Sequence, residues 1–325
     1  MLATNEDLEG SDDCFVRQQT VPRFLTRAKL IMAIALPTVA TSIISKTEDF
    51  VNLLVLGHSE DPALIAGAGM GVVCMNFMGW SLILGLNSTL DTLVSQAGGS
   101  GDLELCGVYL NRGRFMMTCL FVPIVFMATK VEAVLVFLDQ DPRVAKYTQE
   151  YLMAVMPGFY FLGLASCQIK FLINLKKPRV PMVSQFIASS LHPAWAYLLA
   201  SQNHFNLGIQ GVGYAMVITN FTLLVCNLFY TAISHDIKEA VFWPDKRSFQ
   251  DLKQYLSLGL PAAFMFILDN WAGSSVRFFA GYLSVEVQSA QLILYNVITL
   301  LYMVGAGFES ASCALIGQLL GSGEI

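Results

Sequence analysis

Residues 88–101 read STLDTLVSQAGGSG, and residues 310–323 read SASCALIGQLLGSG. Laid over one another without gaps, they match Ser88 with Ser310, Leu93 with Leu315, Gln96 with Gln318 and Gly101 with Gly323. One step further Asp102 meets Glu324. Upstream of each copy a second pair of phrases falls in the same order, ALPTVATSI at 35–43 and GLPAAFMFI at 259–267. Both follow a basic flank and place a proline (Pro37, Pro261) early in an apolar run, where a missing amide costs a helix least. A two-helix unit is therefore written twice. Such repeats are a common plan of transporters, with the ligand bound between the copies near the bilayer midplane.

Working outward, the chain between and around the copies is apolar throughout. Of 325 residues, 55% are hydrophobic and 13% charged, and the mean hydropathy is +0.57, against roughly 25% charge in soluble domains. Stretches long enough to cross a bilayer, about 20 residues in helical form, run near 30–56, 68–95, 115–138, 150–173, 182–200, 208–233, 255–283 and 287–316. The third is expected to leave the membrane near Lys130 and continue along its surface. Backbone amides in lipid must be satisfied within their own segment or a closed barrel, so the fold class is all-α, a polytopic membrane helical bundle. Six spans separate the first copy's start from the second's, which makes the copies parallel about an axis along the membrane normal.

Basic residues orient the bundle. The first 29 residues and the loops after the second, fourth and sixth spans hold Arg17, Arg23, Arg27, Lys29, Arg112, Arg114, Lys176, Lys177, Arg179, Lys238, Lys246, Arg247 and Lys253; the opposite loops hold Lys130, Arg143 and Lys146. That asymmetry puts the N-terminus in the cytoplasm. The expected organisation is a cytoplasmic tail at 1–29, a six-helix lobe at 30–233, a cytoplasmic linker at 234–254, and two helices of a second lobe at 255–325. The polar N-terminus lacks the pattern of a signal peptide.

Several function classes are poorly served. Net charge is −5, which gives no footprint for nucleic acid. The seven cysteines make no CxxC pair, and the four histidines show no metal-ligand spacing. No GxxxxGK[ST] is present for ATP, and GAGMG at 67–71 reads as close helix packing. No enzyme, metal or organic cofactor is expected. Charges inside spans are costly and are functional candidates by default. Asp269, in FMFILDNWAG, has no basic residue within a helical turn and is suited to exchange a proton or bind a cation; a structural pair with Arg277 or Lys46 is the alternative. In ISKTEDFVN, Lys46 and Asp49 are i,i+3 neighbours that can neutralise one another, leaving Glu48 on a different face. Glu48 or Asp49 either lines a cavity or sits where helix 1 reaches the outer interface. Trp271, Tyr295 and Tyr302 offer π faces to an organic cation, each worth about 0.5–2 kcal/mol, or pack between helices.

Together these phrases resemble the multidrug and toxic compound extrusion (MATE) transporters of the eukaryotic type. The resemblance covers roughly residues 25–325 and is carried by LP opening the first span, LGH at 56–58, LDTLVSQAGGSG at 90–101 with GVYLNR at 107–112, DQDPRVAKYTQEYL at 139–152, LGLPAAFMFILDNWA at 258–272 and YMVGAGFESAS at 302–312. It implies twelve helices in two lobes of six around a cavity, with this sequence stopping two helices into the second lobe. It also implies secondary transport: export of organic cations or amphipathic xenobiotics in exchange for H+ or Na+. In the family an acidic residue stands at Asp269, a second carboxylate falls here at Ser274 and a third at Asn296, and a bacterial aspartate corresponds to Asn52. Asn76 occupies a family cavity position. Asp91 matches the family's DTL and reads as a structural partner of the nearby basic loops, and Glu309 replaces a small residue. Two other readings stay open. One is a truncated, partner-dependent chain that binds other membrane helices. The other is a lipid-linked sugar flippase relative, for which only Lys46, Lys170 and Arg277 supply intramembrane positive charge.

Overall fold

The structure, a computed structural model, describes residues 6–58, 61–201 and 204–323, with side chains placed from residue 28 onward. Glu324 and the side chains of Arg17, Arg23 and Arg27, used above for the repeat and the orientation, lie outside the described residues. Every regular element among the described residues is helical. In order they are α1 (Glu6–Gly57), α2 (Pro62–Met75), a π turn (Asn76–Trp80), α3 (Ser81–Gly99), α4 (Leu103–Ala128), α5 (Val131–Phe137), α6 (Pro142–Asn174), α7 (Arg179–Ala200), α8 (Gly208–Ile233), α9 (Leu252–Ala280) and α10 (Val285–Ser322). Short 3-10 turns at His235–Ala240 and Lys246–Phe249 link α8 to α9.

Local chemistry explains the helix starts. Asp61 and Asp141 each precede a proline and accept hydrogen bonds from the first free amides, Ala63 N at 3.0 Å and Arg143 N at 2.8 Å. The proline at N1 gives up an amide that had no helical partner. Asp102 caps α4 through Leu105 N, and Ser284 caps α10 through Val287 N.

Six stretches are long and apolar enough to cross a membrane: Ala28–Gly57, Pro62–Gly99, Leu103–Ala128, Pro142–Asn174, Gly208–Ile233 and Val285–Ser322. The helices α7 and α9, at 22 and 29 residues, are also long enough, about 33 Å and 43 Å at 1.5 Å per residue. Their mean hydropathy is lowered by Ser184, Gln185 and His192 in one and Asp269, Asn270 and Arg277 in the other. These eight make up the membrane bundle. Its boundaries differ from the hydropathy reading in three places. Helix α1 continues N-terminally to Glu6, so residue 30 marks where the chain turns apolar and not where the helix begins. The span expected at 115–138 instead occupies Leu103–Ala128, because a helix crosses with its polar first turns included. A break at Thr129–Lys130 then starts the separate α5, whose Val134, Val136 and Phe137 are exposed. The second span runs from Pro62 to Gly99, longer than the 68–95 expected, and contains the π turn.

Helix α6 runs through the centre, against α2, α3, α4 and α8, burying Leu152, Phe171 and Leu172 completely. The GAGMG run brings α2 against neighbours on two sides. A Cβ at Gly67 or Gly71 would strike Tyr147 or Tyr151 of α6, and one at Gly69 would strike Leu292 of α10. Lys177 Nζ donates to Asp236 at 2.7 Å and ties the α6–α7 turn to the segment following α8. That hydrogen bond holds the exposed Asp236 carboxyl below its ordinary range.

The repeated phrases touch each other. A Cβ at Gly99 would overlap the Gln318 backbone, and a Cβ at Gly321 would overlap the Gln96 backbone. These four residues are two matched pairs of the alignment, so the contact is reciprocal. Gly317 lies directly on Ser95, its own counterpart. The same exchange recurs higher in the bundle. Gly85 of α3 lies on the Ala263 backbone, in the LPAAF that opens the second copy, while Gly307 of α10 lies on Val39, in the LPTVA that opens the first. Each copy's first helix therefore packs on the other copy's second helix, α9 on α3 and α1 on α10. Lipid supplies no hydrophobic drive to this association, and small residues that let backbones approach supply dispersion contacts instead.

Candidate functional site

A cleft of about 50 Å³ opens between α1, α2, α6, α9 and α10 in the half of the bundle away from the basic loops. Its polar lining is Lys46, Asp49 and Asn52 from α1, Arg277 from α9, and Tyr295 and Asn296 from α10; Leu53, Val72 and Leu292 are among the apolar walls. Lys46 Nζ donates to Asp49 Oδ2 at 2.8 Å, the i,i+3 pairing expected from spacing. Arg277 is 2% exposed. Its guanidinium carbon lies 3.8 Å from the centre of the Tyr295 ring, and Nη2 donates to Ser274 Oγ at 2.9 Å. Nε and Nη1 have no acceptor among the described residues. Of the candidates named from sequence, Asp49, Tyr295 and Asn296 meet at this cleft.

Glu48 turns the other way. It is 4% exposed and its Oε1 accepts from Ser189 Oγ at 2.6 Å and Gln185 Nε2 at 2.8 Å, both on α7. One turn along, Asn52 Oδ1 accepts from His192 Nε2 at 2.9 Å, and His192 Nδ1 lies 2.8 Å from Thr219 Oγ1 of α8. Asn52 thus joins the cleft to a polar row crossing from α1 through α7 to α8. Sequence reading gave His192 no role. A lone histidine in an apolar span carries no spacing signal, and its partners are 140 and 27 residues away.

Asn76 and Trp271 are a matched contact between the second and seventh membrane helices. The Trp271 Nε1–H donates to the Asn76 carbonyl at 3.3 Å, Asn76 Nδ2 donates to Ser274 Oγ at 3.2 Å, and the Trp271 ring meets Phe77 edge-on at 5.2 Å. The π turn begins at Asn76. The Asn76 carbonyl also accepts from Ser81 Oγ at 3.4 Å, and π turns recur at functional positions. Ser274 receives donors from both Asn76 and Arg277, and so couples this contact to the cleft.

Asp269 and Tyr302 occupy a different place. Both are exposed on the side of α9 and α10 turned away from the other helices, together with Glu309. Asp269 makes no ion pair with Arg277 or Lys46: Lys46 is taken by Asp49, and Arg277 faces the Tyr295 ring. Asp269 on α9 and Tyr302 and Glu309 on α10 thus form an exposed polar patch within the membrane-spanning length.

Asp91 has the structural role expected of it, with a partner inside the bundle. Lys170 Nζ of α6 donates to Asp91 Oδ2 at 2.6 Å and to Ser310 Oγ of α10 at 3.2 Å, and Asn174 Nδ2 donates to Asp91 Oδ1 at 3.0 Å. Gln318 of α10 donates to the Asn174 carbonyl. This clamp fastens α10 to α3 and α6 just above the reciprocal glycine contact.

With the geometry in view, comparisons with known proteins can be placed on it. Residues 37–198 match the MatE family model. Multidrug and toxin extrusion protein 1 of Mus musculus is 29% identical over 307 residues, covering 94% of this chain and 53% of that protein. The human protein of the same name is 28% identical over 305 residues, covering 93% and 52%. The crystal structure of the eukaryotic MATE transporter AtDTX14 superposes with a TM-score of 0.84 over 92% of this chain and 67% of that one, at 20% identity, which is a likeness of fold. The chain thus spans about half the length of the curated relatives it matches. Matched along α1 to α7 by the family model and over most of its length by these relatives, this multi-pass membrane chain belongs to the MATE family.

Proposed function

We propose that this chain forms the first lobe and the opening helix pair of the second lobe of a MATE-type antiporter, which exports organic cations or amphipathic compounds in exchange for H+ or Na+. The division into a lobe of α1–α8, a linker and a pair α9–α10 is part of this proposal. It is supported by the reciprocal packing of the two copies, α9 on α3 and α1 on α10, which suits copies related by a pseudo-twofold axis. The N-terminus lies in the cytoplasm in this reading, on the side of the basic loops.

The observation that carries the function is the patch of Asp269, Tyr302 and Glu309. Two carboxylates on one exposed face of membrane-spanning helices do not suit lipid, where a central charge costs about 2.5–3.5 kcal/mol even on the mildest scales. The face is suited to an aqueous cavity bounded by further helices, with Asp269 taking up the coupling ion or the cationic group of the substrate. Tyr302 adds a π face. The 50 Å³ cleft is well below the roughly 300–1,000 Å³ of ligand pockets, so the substrate belongs at the Asp269 face in this conformation. The partner-dependent reading shares that observation, because the helices that complete the cavity then come from another chain.

The test is flux of a fluorescent organic cation, driven by a pH gradient, in proteoliposomes carrying the protein. Asp269→Asn should abolish gradient-driven flux, and Asp269→Glu should retain it. Undiminished flux in Asp269→Asn overturns the assignment.

A further inference from the structure

We propose that the interlobe cleft is a binding site for a small monovalent anion, a carboxylate or a halide, held by Arg277. A buried guanidinium normally meets a carboxylate, since breaking such a pair leaves an uncompensated charge that costs about 3–5 kcal/mol. Arg277 is 2% exposed, yet its polar contacts are one serine hydroxyl and an aromatic face. Nε and Nη1 stay without an acceptor, and the side chain lines the cleft.

The charges facing the cleft define the sign of the missing ligand. Lys46 and Arg277 are positive and Asp49 is negative, while Glu48 is turned into α7. The lining carries a formal charge of +1, and Asp49 is already engaged by Lys46 at 2.8 Å. A cation entering here is repelled; a monovalent anion neutralises the site. The 50 Å³ volume holds roughly three to five water-sized spheres, enough for chloride or formate and too little for an organic diphosphate. The Asp269 patch belongs to a different face of α9, so the anion site is separate from the proposed cation site. Its ligand is either a free anion or the carboxylate of a zwitterionic substrate.

The experiment uses the full chain in phospholipid nanodiscs. Thermal unfolding is followed by intrinsic fluorescence at constant ionic strength, as sodium gluconate, too large for the cleft, is replaced by sodium formate; a parallel series adds glycine betaine, a quaternary ammonium carboxylate. Formate should raise the unfolding temperature saturably by about 2–4 °C. Arg277→Gln should weaken the formate response roughly tenfold or more, as loss of a charged hydrogen bond does, and Asp49→Asn, which makes the lining +2, should strengthen it. A response to glycine betaine alone, lost in Arg277→Gln, supports the same site with the carboxylate supplied by a zwitterion. No response to either compound overturns the proposal, as does a response of equal size in Arg277→Gln or a weaker one in Asp49→Asn. The readout is binding, so the result stands whether or not Asp269 drives transport.

Discussion

If the two copies are related by an axis through the bundle, matched glycines must carry matched penalties. Gly85 and Gly307 are the sharpest pair, one lying on the Ala263 backbone and the other on Val39. Replacing a helical glycine by alanine ordinarily stabilises by about 1 kcal/mol, because the unfolded chain loses freedom and the helix gains a better residue. At Gly305 of α10 a Cβ meets nothing within 4 Å, so Gly305→Ala should show that full gain. At Gly85 and Gly307 the Cβ overlaps backbone atoms, which cannot rotate aside. Overpacking of this kind costs about 1–3 kcal/mol, which cancels or outweighs the gain. Each of the two variants should therefore fall about 1–3 kcal/mol below Gly305→Ala, and the two should agree with each other. Thermal unfolding of the three variants in one detergent gives the comparison directly. A stabilisation at Gly85 or Gly307 equal to that at Gly305 would refute the close crossing, and penalties of very different size would refute the symmetry.

Two further outcomes follow from charged groups. Lys170→Met should destabilise by about 3–5 kcal/mol, since it leaves the Asp91 carboxylate buried with only Asn174 beside it, and adding Asp91→Leu should recover most of that loss; a double variant as unstable as the sum of its singles would show the pair to be uncoupled. At the surface, hydrogen bonding from Lys177 lowers the Asp236 carboxyl from its usual 3.8. A depressed carboxyl contributes stability that is complete above its unfolded value and disappears as pH falls through its folded value. Wild type should therefore exceed Asp236→Asn at pH 5 and converge with it below pH 3.8, in unfolding scans across that range, and a constant difference down to the lowest pH would contradict the assignment.

The membrane class, the eight helices and the repeat are legible in the chain because each rests on local information. Apolar run length reports a span, a proline or aspartate-proline reports its start, and a phrase written twice reports itself. The i,i+3 pair of Lys46 and Asp49 is local in the same sense. What escaped the reading depends on register between distant helices. Nothing near Arg277 tells whether it meets Asp269, eight residues back on its own helix, or the ring of Tyr295 on the next one; the turn between α9 and α10 decides. Glu48, two residues from the cleft-lining Lys46 and one from Asp49, lies against α7 because a single residue step rotates a helix position by about 100°. The π turn at Asn76–Trp80 shifts register in the middle of a span without any proline to announce it, and Asn76, which meets Trp271, stands at its start.

The charges left inside this bundle then sort by what each can be neutralised by. Asp91 and Lys170 satisfy one another across α3, α6 and α10, and Glu48 is held by two neutral donors on one helix, so both serve packing in the conformation described. Lys46 and Asp49 neutralise each other beside a guanidinium whose Nε and Nη1 have no acceptor among the described residues. Asp269 and Glu309 are exposed carboxylates, and neither forms an ion pair among the described residues. The Arg277 and Asp269 environments thus carry opposite charge, one positive and one negative. If a cation binds at Asp269 and an anion at Arg277, as proposed above, the two occupancies on α9 obey thermodynamic linkage: whichever ligand binds first changes the affinity for the other by a factor that must be the same in both orders. Measuring the affinity of a fluorescent cation with and without formate, and of formate with and without the cation, yields two ratios. Equal ratios different from one show that α9 couples the sites; ratios of one show that the two faces work independently.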